Sequence, residues 1–196
     1  MSDAVKTAYI PTQTHRRWTF EDKTIRNWVV EHMDGRVLNA CAGKTELPHD
    51  DIVVTNDVDE AIQTDYSVDV VKLAAALEPE SFDTIVFDPP WSMYQANMRY
   101  DGRHVTKDEI SIDVSELPQV VGRDKKQVGH ARLAKDGFDY LLNPGGKVIQ
   151  LSYSGCCMPS RLQYQQLERV MFDPLGEGKT LIGSVDLKTQ TSFKRD

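Results

Sequence analysis

Apolar and polar residues alternate in short blocks along the chain, and the blocks predict helices and strands in turn. Apolar side chains recur at helical spacing over residues 20–33, which predicts a helix with Thr19 as its N-cap and Gly35 after its end. Runs rich in β-branched residues at 51–55 and 84–87 predict buried strands. Because strands alternate with short helical segments, the pattern favours an α/β fold with a parallel sheet.

The remaining blocks extend this pattern to the end of the chain. Further strands are predicted at residues 37–38, 66–68 and 147–154, further helices at 70–77, 120–142 and 159–167, and a turn at 143–146. The last two strands flank Gly176-Glu177-Gly178, and strands joined this tightly must be antiparallel. We therefore expect a mostly parallel seven-stranded sheet with helices on both faces and a C-terminal antiparallel hairpin.

The chain divides into a polar N-terminal arm, residues 1–19, and a single domain, residues 20–196. For the arm we favour an irregular segment that Trp18 packs onto the domain, and the alternative is an arm that helps to close a ligand site. Within the domain, residues 92–118 are polar and poorly periodic, which predicts an insertion loop.

Composition and charge exclude several classes of protein. The 196 residues carry a net charge of −7, which argues against binding nucleic acid by bulk electrostatics alone. No apolar run approaches the length of a membrane span, and the N-terminus lacks a signal-peptide pattern, so we expect a cytoplasmic protein without a membrane partner. The three cysteines and five scattered histidines have no metal-ligand spacing, so no metal is expected.

The most distinctive stretch follows the strand at residues 84–87 and reads Asp88-Pro89-Pro90-Trp91. A carboxylate at the end of a parallel strand lies at the edge where open α/β folds bind ligands. Two prolines fix the backbone and leave carbonyl groups free to accept hydrogen bonds. This corner suits a flat group that donates hydrogen bonds, such as the amine of a nucleobase. The alternative is a rigid turn with a packed tryptophan.

These segments together resemble the class I S-adenosylmethionine-dependent methyltransferases, over roughly residues 20–190. The order is RVLNACAGKT after the first helix, then VVTNDVD, TDYSVDV, IVFDPPW and NPGGKVIQLS. Within that class, Asp-Pro-Pro-Trp is similar to the signature of enzymes that methylate exocyclic amines, chiefly of adenine in DNA or RNA. The resemblance implies a Rossmann-like class I methyltransferase fold, S-adenosylmethionine as cofactor and nucleic acid as substrate.

The resemblance also implies roles for individual residues. The turn after the first domain strand would approach the methionine part of the cofactor, the acids after the next strand would bind the ribose, and Asp69 with Val70 would read the adenine. The implied cofactor-binding residues are Asn39, Ala40, Cys41, Ala42, Gly43, Asp57, Asp59, Asp69 and Val70, and the implied catalytic residues are Asp88, Pro89, Pro90 and Trp91. Cys41 is interpreted as a small packed residue rather than a nucleophile.

Target recognition is assigned to basic residues beyond the acidic corner. The predicted helix at 120–142 carries a basic run in its front half, which is either a solvated face or a nucleic-acid contact. The candidate substrate-binding residues are Arg99, Arg103, Lys125 and Lys126. We expect DNA adenine in preference to RNA adenine, and a partner subunit is a possible source of further recognition.

Two other functions stay open at this stage. Ala42-Gly43-Lys44-Thr45 resembles the end of a phosphate-binding P-loop, but Leu38 stands where that loop needs its first glycine. A non-catalytic, methyltransferase-like binding subunit is the other alternative. It is suggested by Asn39 and Lys44, which stand where the family more often has an acid and a second glycine.

Overall fold

The computed structural model describes residues 4–13, 18–90, 117–120, 130–153 and 156–189. Its strands are β1 (Lys6–Pro11), β2 (Val37–Asn39), β3 (Val53–Thr55), β4 (Phe82–Phe87), β5 (Leu142–Ser152), β6 (Tyr164–Asp173) and β7 (Leu181–Lys188). Its α-helices are α1 (Lys23–Glu31), α2 (Leu73–Ala76) and α3 (His130–Leu141). Short 3-10 helices span Thr19–Glu21, Val70–Lys72, Pro118–Val120 and Ser160–Leu162.

The described strands form one sheet of seven in the order β1-β6-β7-β5-β4-β2-β3. Neighbouring strands are parallel except at β7, which runs antiparallel to both β5 and β6. The mostly parallel sheet and the closing β6–β7 hairpin are therefore confirmed. Consequently β2, β3 and β4 all end at the same edge of the sheet, where the predicted site segments begin.

The membership of the sheet differs from the prediction at both edges. Residues 6–11, expected as part of an irregular arm, form edge strand β1, in which half-buried Ala8 and Ile10 alternate with exposed neighbours. The strand expected at residues 66–68 is reduced to a single bridge between Asn56 and Tyr66. Pro11 ends β1 at the open edge, where its missing N–H group disrupts no ladder.

Helix boundaries also differ from the predicted ones. Asp22, not Thr19, caps α1, because its Oδ1 atom accepts from the backbone N–H groups of Thr24 and Ile25 at 2.8 and 3.4 Å. The helix expected at 159–167 is wrong, since Gln163 adopts a left-handed conformation (φ 57°) and β6 begins at Tyr164. Of the helix expected at 120–142, residues 121–129 lie outside the described residues.

Apolar side chains form a core on each face of the sheet. On one face, α1 buries Ile25, Trp28 and Val29. On the other, α3 packs with α2, and the rings of Phe87 and Phe138 meet edge to face at 4.9 Å. The prediction of helices on both faces is thus confirmed.

Polar groups also cluster within the sheet at the β5–β7 pair. Asp186 is 2% exposed and accepts hydrogen bonds from Gln150 Nε2 at 3.1 Å and Ser184 Oγ at 3.0 Å. Burial raises the pKa of Asp186 to about 6, although the Ser184 hydrogen bond and the nearby Lys135 charge oppose this rise. A buried carboxyl of this kind makes the stability of the sheet sensitive to pH between about 4 and 6.

The connections that follow β2 and β3 contain no helix over residues 40–69, all of which the structure describes. They are loops that hold the segments predicted to form the site.

Candidate functional site

The loops after β2, β3 and β4 and the described start of α3 together form a cleft that is open to solvent. Residues from five segments line it. They are Ala40, Cys41, Asn56, Asp57, Val58, Val68, Asp69, Val70, Pro90 and His130. The chain therefore brings two predicted cofactor acids, Asp57 and Asp69, together with the proline corner.

Asn56 joins the loops that form this cleft. Its side-chain amide donates to the carbonyl groups of Ala40 at 3.0 Å and Val68 at 3.1 Å, and it accepts from the Val68 N–H at 3.1 Å. The residue is 1% exposed, so these hydrogen bonds form away from water, where an unpaired amide is costly. Asn56 thus fixes the spacing between the turn after β2 and the segment that carries Asp69.

Asp57 holds the glycine turn in place. Its two carboxylate oxygens accept from the backbone N–H groups of Gly43 at 2.9 Å and Asp59 at 3.0 Å. Burial raises the pKa of Asp57, and the backbone hydrogen bonds from Asp59 and Gly43 oppose the rise. Each oxygen retains a second lone pair, so the carboxylate keeps capacity to accept from a ligand hydroxyl.

Asp69 is held by two groups in the same cleft. Its Oδ1 atom accepts from the Val71 N–H at 3.1 Å, which caps the 3-10 helix, and lies 2.6 Å from His130 Nε2. Burial alone would raise the pKa of Asp69, but the hydrogen bond and charge of His130 hold it below its ordinary value. Asp69 is therefore an anionic acceptor whose position depends on α3.

The thiol of Cys41 lies among the three predicted acids. Burial raises its pKa well above the ordinary value, and the negative charges of Asp57, Asp88 and Asp69 raise it further. A thiol in this environment stays protonated, so Cys41 is suited to packing rather than to nucleophilic attack.

Asp88 follows β4 directly and is half-buried, as are Pro89 and Pro90. Tyr153 is one residue beyond the end of β5. Burial raises the pKa of Tyr153, and the negative charge of Asp88 raises it further, which indicates that the two side chains lie near each other. An acid and an aromatic phenol are thus the groups that adjoin the proline corner from β4 and β5.

Other predicted residues lie elsewhere. Asn39, Ala42 and Gly43 line a second cleft of about 1,140 Å³, bordered by the loops at 42–47 and 61–64. Asp59 accepts from the Ala61 N–H at 3.0 Å and shapes its own turn rather than either cleft. Trp91, Arg99, Arg103, Lys125 and Lys126 lie outside the described residues.

The turn itself packs against the N-terminal segment. Gly43 has a φ of +59°, and a Cβ atom there would lie 2.8 Å from Cε3 of Trp18. Glycine is therefore required both by the backbone conformation and by the tryptophan ring. The neighbouring Asn39 Oδ1 is buried with no hydrogen-bond partner in the described part of the chain.

Sequence reasoning missed Val58 and Val68 of the cleft, and it also missed three residues with polar groups in or near it, Tyr153, Asn56 and His130. Tyr153 could have been found, because it follows a strand that ends at the same sheet edge. Asn56 directly precedes a predicted acid, but its hydrogen bonds join segments 12 to 16 residues apart. His130 lies 61 residues from Asp69, and only the packing of α3 brings the two together.

Comparison with solved structures identifies the fold. The N-methyltransferase NodS from Bradyrhizobium japonicum WM9 superimposes with a TM-score of 0.52 at 13% identity, covering 86% of this chain and 96% of that one. TrmN from Thermus thermophilus gives a TM-score of 0.51 at 14% identity, covering 85% and 49%. This chain has a Rossmann-like methyltransferase fold.

A third similar structure was solved with ligands. It is the 1,6-didemethyltoxoflavin-N1-methyltransferase from Burkholderia thailandensis with bound 1,6-didemethyltoxoflavin and S-adenosylhomocysteine. Its TM-score is 0.50 at 11% identity, and the alignment covers 85% of this chain and 76% of that one. No protein-family model and no curated protein sequence matches the chain. Among the described residues, no helix is long and apolar enough to cross a membrane.

Proposed function

We propose that this protein transfers a methyl group from S-adenosylmethionine to the exocyclic amine of adenine in nucleic acid, with DNA as the preferred substrate. The observation that carries the proposal is the cleft in which Asp57, Asp69 and Pro90 meet. Two acids suited to a nucleoside and an acceptor-rich corner suited to an amine thereby adjoin one cavity. The methyltransferase fold and the solved S-adenosylhomocysteine complex of a similar structure support it.

The residues of the cleft fit the nucleoside part of the cofactor. Asp57 would accept from the ribose hydroxyls, and Asp69 with Val70 would contact the adenine edge. Asn39 lines the second cleft instead, where its Oδ1 atom, buried and unpaired among the described residues, would accept from the ammonium of the methionine part. When bound, the cofactor would supply a methyl group on a positively charged sulfur.

The proline corner would act on the substrate amine. An adenine amine is a weak nucleophile because its lone pair is delocalised into the ring. The Asp88 carboxylate and the Pro89 carbonyl would each accept one amine hydrogen, which favours a tetrahedral nitrogen with its lone pair aimed at the methyl group. This effect is one of orientation, joined by stabilisation of the positive charge that develops on nitrogen. In a duplex the base must first leave the stack.

The P-loop alternative loses support in the described structure. A phosphate-binding loop delivers its ligand to the N-terminus of a following helix. No helix begins between Thr45 and β3, a stretch the structure describes completely. The alternative of a non-catalytic subunit is retained as an outcome of the test below.

The proposal includes roles for residues outside the described part of the chain. Trp91 would stack on the target base, and the nucleic-acid backbone would be contacted by Arg99, Arg103, Lys125 and Lys126. It also includes DNA as the substrate and a partner subunit that adds recognition. Reversing the charge of Lys125 and Lys126 should weaken DNA binding and reduce its dependence on salt. An unchanged salt dependence would assign these lysines to a solvated surface.

The decisive experiment is transfer of a labelled methyl group from S-adenosylmethionine to separate DNA, RNA and protein pools, followed by nucleoside analysis. The proposal predicts label in N6-methyladenine from DNA. The Asp88→Ala variant, which removes the side-chain acceptor, should bind the cofactor as the wild type does and lose nearly all transfer. Label in RNA or protein would redirect the substrate, and cofactor binding without transfer to any pool would favour the non-catalytic subunit.

A further inference from the structure

The strongest unexplained contact in the cleft is the one between His130 and Asp69. Nε2 of His130 and Oδ1 of Asp69 lie 2.6 Å apart, and both residues line the cleft. His130 is 9% exposed, and the Asp69 side chain is 20% exposed. The pair therefore combines near-complete burial of the histidine with access to Asp69 from the cavity.

The hydrogen bonds of Asp69 are unevenly distributed over its two oxygens. Oδ1 receives both the Val71 N–H and the His130 contact, whereas Oδ2 receives no hydrogen bond from the described residues. Two donors on one oxygen fix the plane of a carboxylate more firmly than a single cap does. As far as the described residues are concerned, Oδ2 is therefore open to one further donor.

The charges around Asp69 favour its ionised form. His130 is the largest favourable influence on its pKa, followed by the Val71 N–H and the charge of Lys72. Asp57 and Asp88 are the other acids that act with it on Cys41. Without His130, Asp69 would share a partly buried region with these acids and lose a hydrogen-bond partner.

We propose that His130 is a positioning residue that fixes Asp69 for recognition of the cofactor's nucleobase amine. The inference rests on the proposed function, since it assigns a nucleoside to this cleft. His130 holds Oδ1 and sustains the negative charge, so Oδ2 accepts one N–H of the exocyclic amine. A nucleobase with a carbonyl in place of that amine meets a fixed anion and is rejected. Recognition of adenine thus depends on a residue of α3, outside the loops that carry the cofactor acids.

The test compares two ligands that differ only at this edge of the base, where replacement of the amine by a carbonyl also turns the N1 acceptor into an N–H donor. S-adenosylhomocysteine has the amine, and S-inosylhomocysteine has a carbonyl in its place. Both are titrated calorimetrically into the wild type, His130→Ala, His130→Gln and the control His49→Gln. His49 lies outside the cleft, where its Nε2 contacts the Gly35 carbonyl at 3.1 Å. Thermal unfolding verifies folding, and His130→Leu, which fills more of the space, replaces His130→Ala if the latter does not fold.

The wild type should prefer S-adenosylhomocysteine by about 10- to 100-fold, as expected for a hydrogen bond to a charged group. His130→Ala or His130→Leu should reduce that preference to about threefold or less, because Asp69 is then free to turn or to take up a proton. His130→Gln should retain most of it, since its amide can donate to Oδ1, and His49→Gln should match the wild type.

Three outcomes would contradict the inference. An unchanged preference in His130→Ala, or an equal loss of affinity for both ligands, would show that His130 only packs the cleft. Failure of His130→Gln to retain the preference would exclude the donor role. If the wild type binds neither ligand, the proposed function fails, and this inference fails with it. If the wild type binds S-adenosylhomocysteine but one of the outcomes above occurs, only the inference about His130 fails.

Discussion

The buried carboxyl of Asp186 yields a quantitative prediction for stability against pH. Its pKa is raised from an ordinary 3.8 to about 6, chiefly by burial. Because the folded state holds the proton more tightly, the group's favourable contribution is complete below pH 3.8 and is lost as the pH rises through about 6. A shift of about two units corresponds to roughly 3 kcal/mol.

The perturbation is Asp186→Asn, which keeps the shape of the side chain and removes its titration. The free energy of unfolding of wild type and variant is measured by urea denaturation from pH 4 to pH 8. As the pH rises from 4 to 8, the free energy of unfolding of the variant should increase relative to that of the wild type by about 2 to 3 kcal/mol. Most of this change should occur between pH 4 and 6. All groups that the two proteins share cancel in the comparison.

A relative stability that stays constant with pH, or that moves in favour of the wild type as the pH rises, would refute this reasoning. It would mean that the hydrogen bonds from Gln150 and Ser184 and the Lys135 charge outweigh the cost of burying the carboxylate.

Three further substitutions test the contacts that shape the site and the sheet edge. Gly43→Ala should destabilise the fold by about 1 to 2 kcal/mol, because φ is +59° and the new Cβ would meet Trp18. Tryptophan fluorescence should report the displaced ring, and an unaltered spectrum and stability would contradict the packing. Asn56→Ala should lower the free energy of unfolding by roughly 3 kcal/mol in urea denaturation, about 1 kcal/mol for each of three hydrogen bonds. It should also abolish S-adenosylhomocysteine binding, and binding at normal affinity would show that Asn56 does not organise the cleft. Glu168 accepts from Trp28 Nε1 at 2.9 Å and from Lys6 at 2.7 Å. Burial opposes the shift, but these bonds lower the pKa of Glu168 below its ordinary 4.5. Glu168→Gln should therefore lose about 1 kcal/mol at pH 7, and this loss should fade as the pH falls from 4.5 through the lowered pKa; a loss that persists unchanged in acid would exclude the charge as its cause.

The parts of the site that follow from local rules were predictable. Asp57 and Asp88 each follow a short β-branched run, and parallel strands deliver such residues to one edge of the sheet. Asp69 precedes a helical segment in the loop between two of these strands. The β6–β7 hairpin followed from the tight turn at residues 176–178, since so short a connection permits only antiparallel pairing.

The parts that depend on tertiary contacts were not predictable from pattern alone. Residues 6–11 have only two inward positions, Ala8 and Ile10, which is too short an alternation to distinguish a strand from an extended arm. The segment 159–167 has polar residues that suit a helix, but the left-handed Gln163 starts β6 instead. His130 becomes a site residue only because α3 packs beside the loop that holds Asp69.

The account depends most directly on whether the cleft of Asp57 and Asp69 binds the nucleoside of a methyl donor. Calorimetric titration of the wild type with S-adenosylhomocysteine, alongside ATP with magnesium, measures this. The account predicts saturable binding of S-adenosylhomocysteine that Asp69→Ala weakens by about 10-fold or more, and no comparable binding of the nucleotide. No heat and no thermal shift with S-adenosylhomocysteine at millimolar concentration would contradict it, as would preferential binding of ATP.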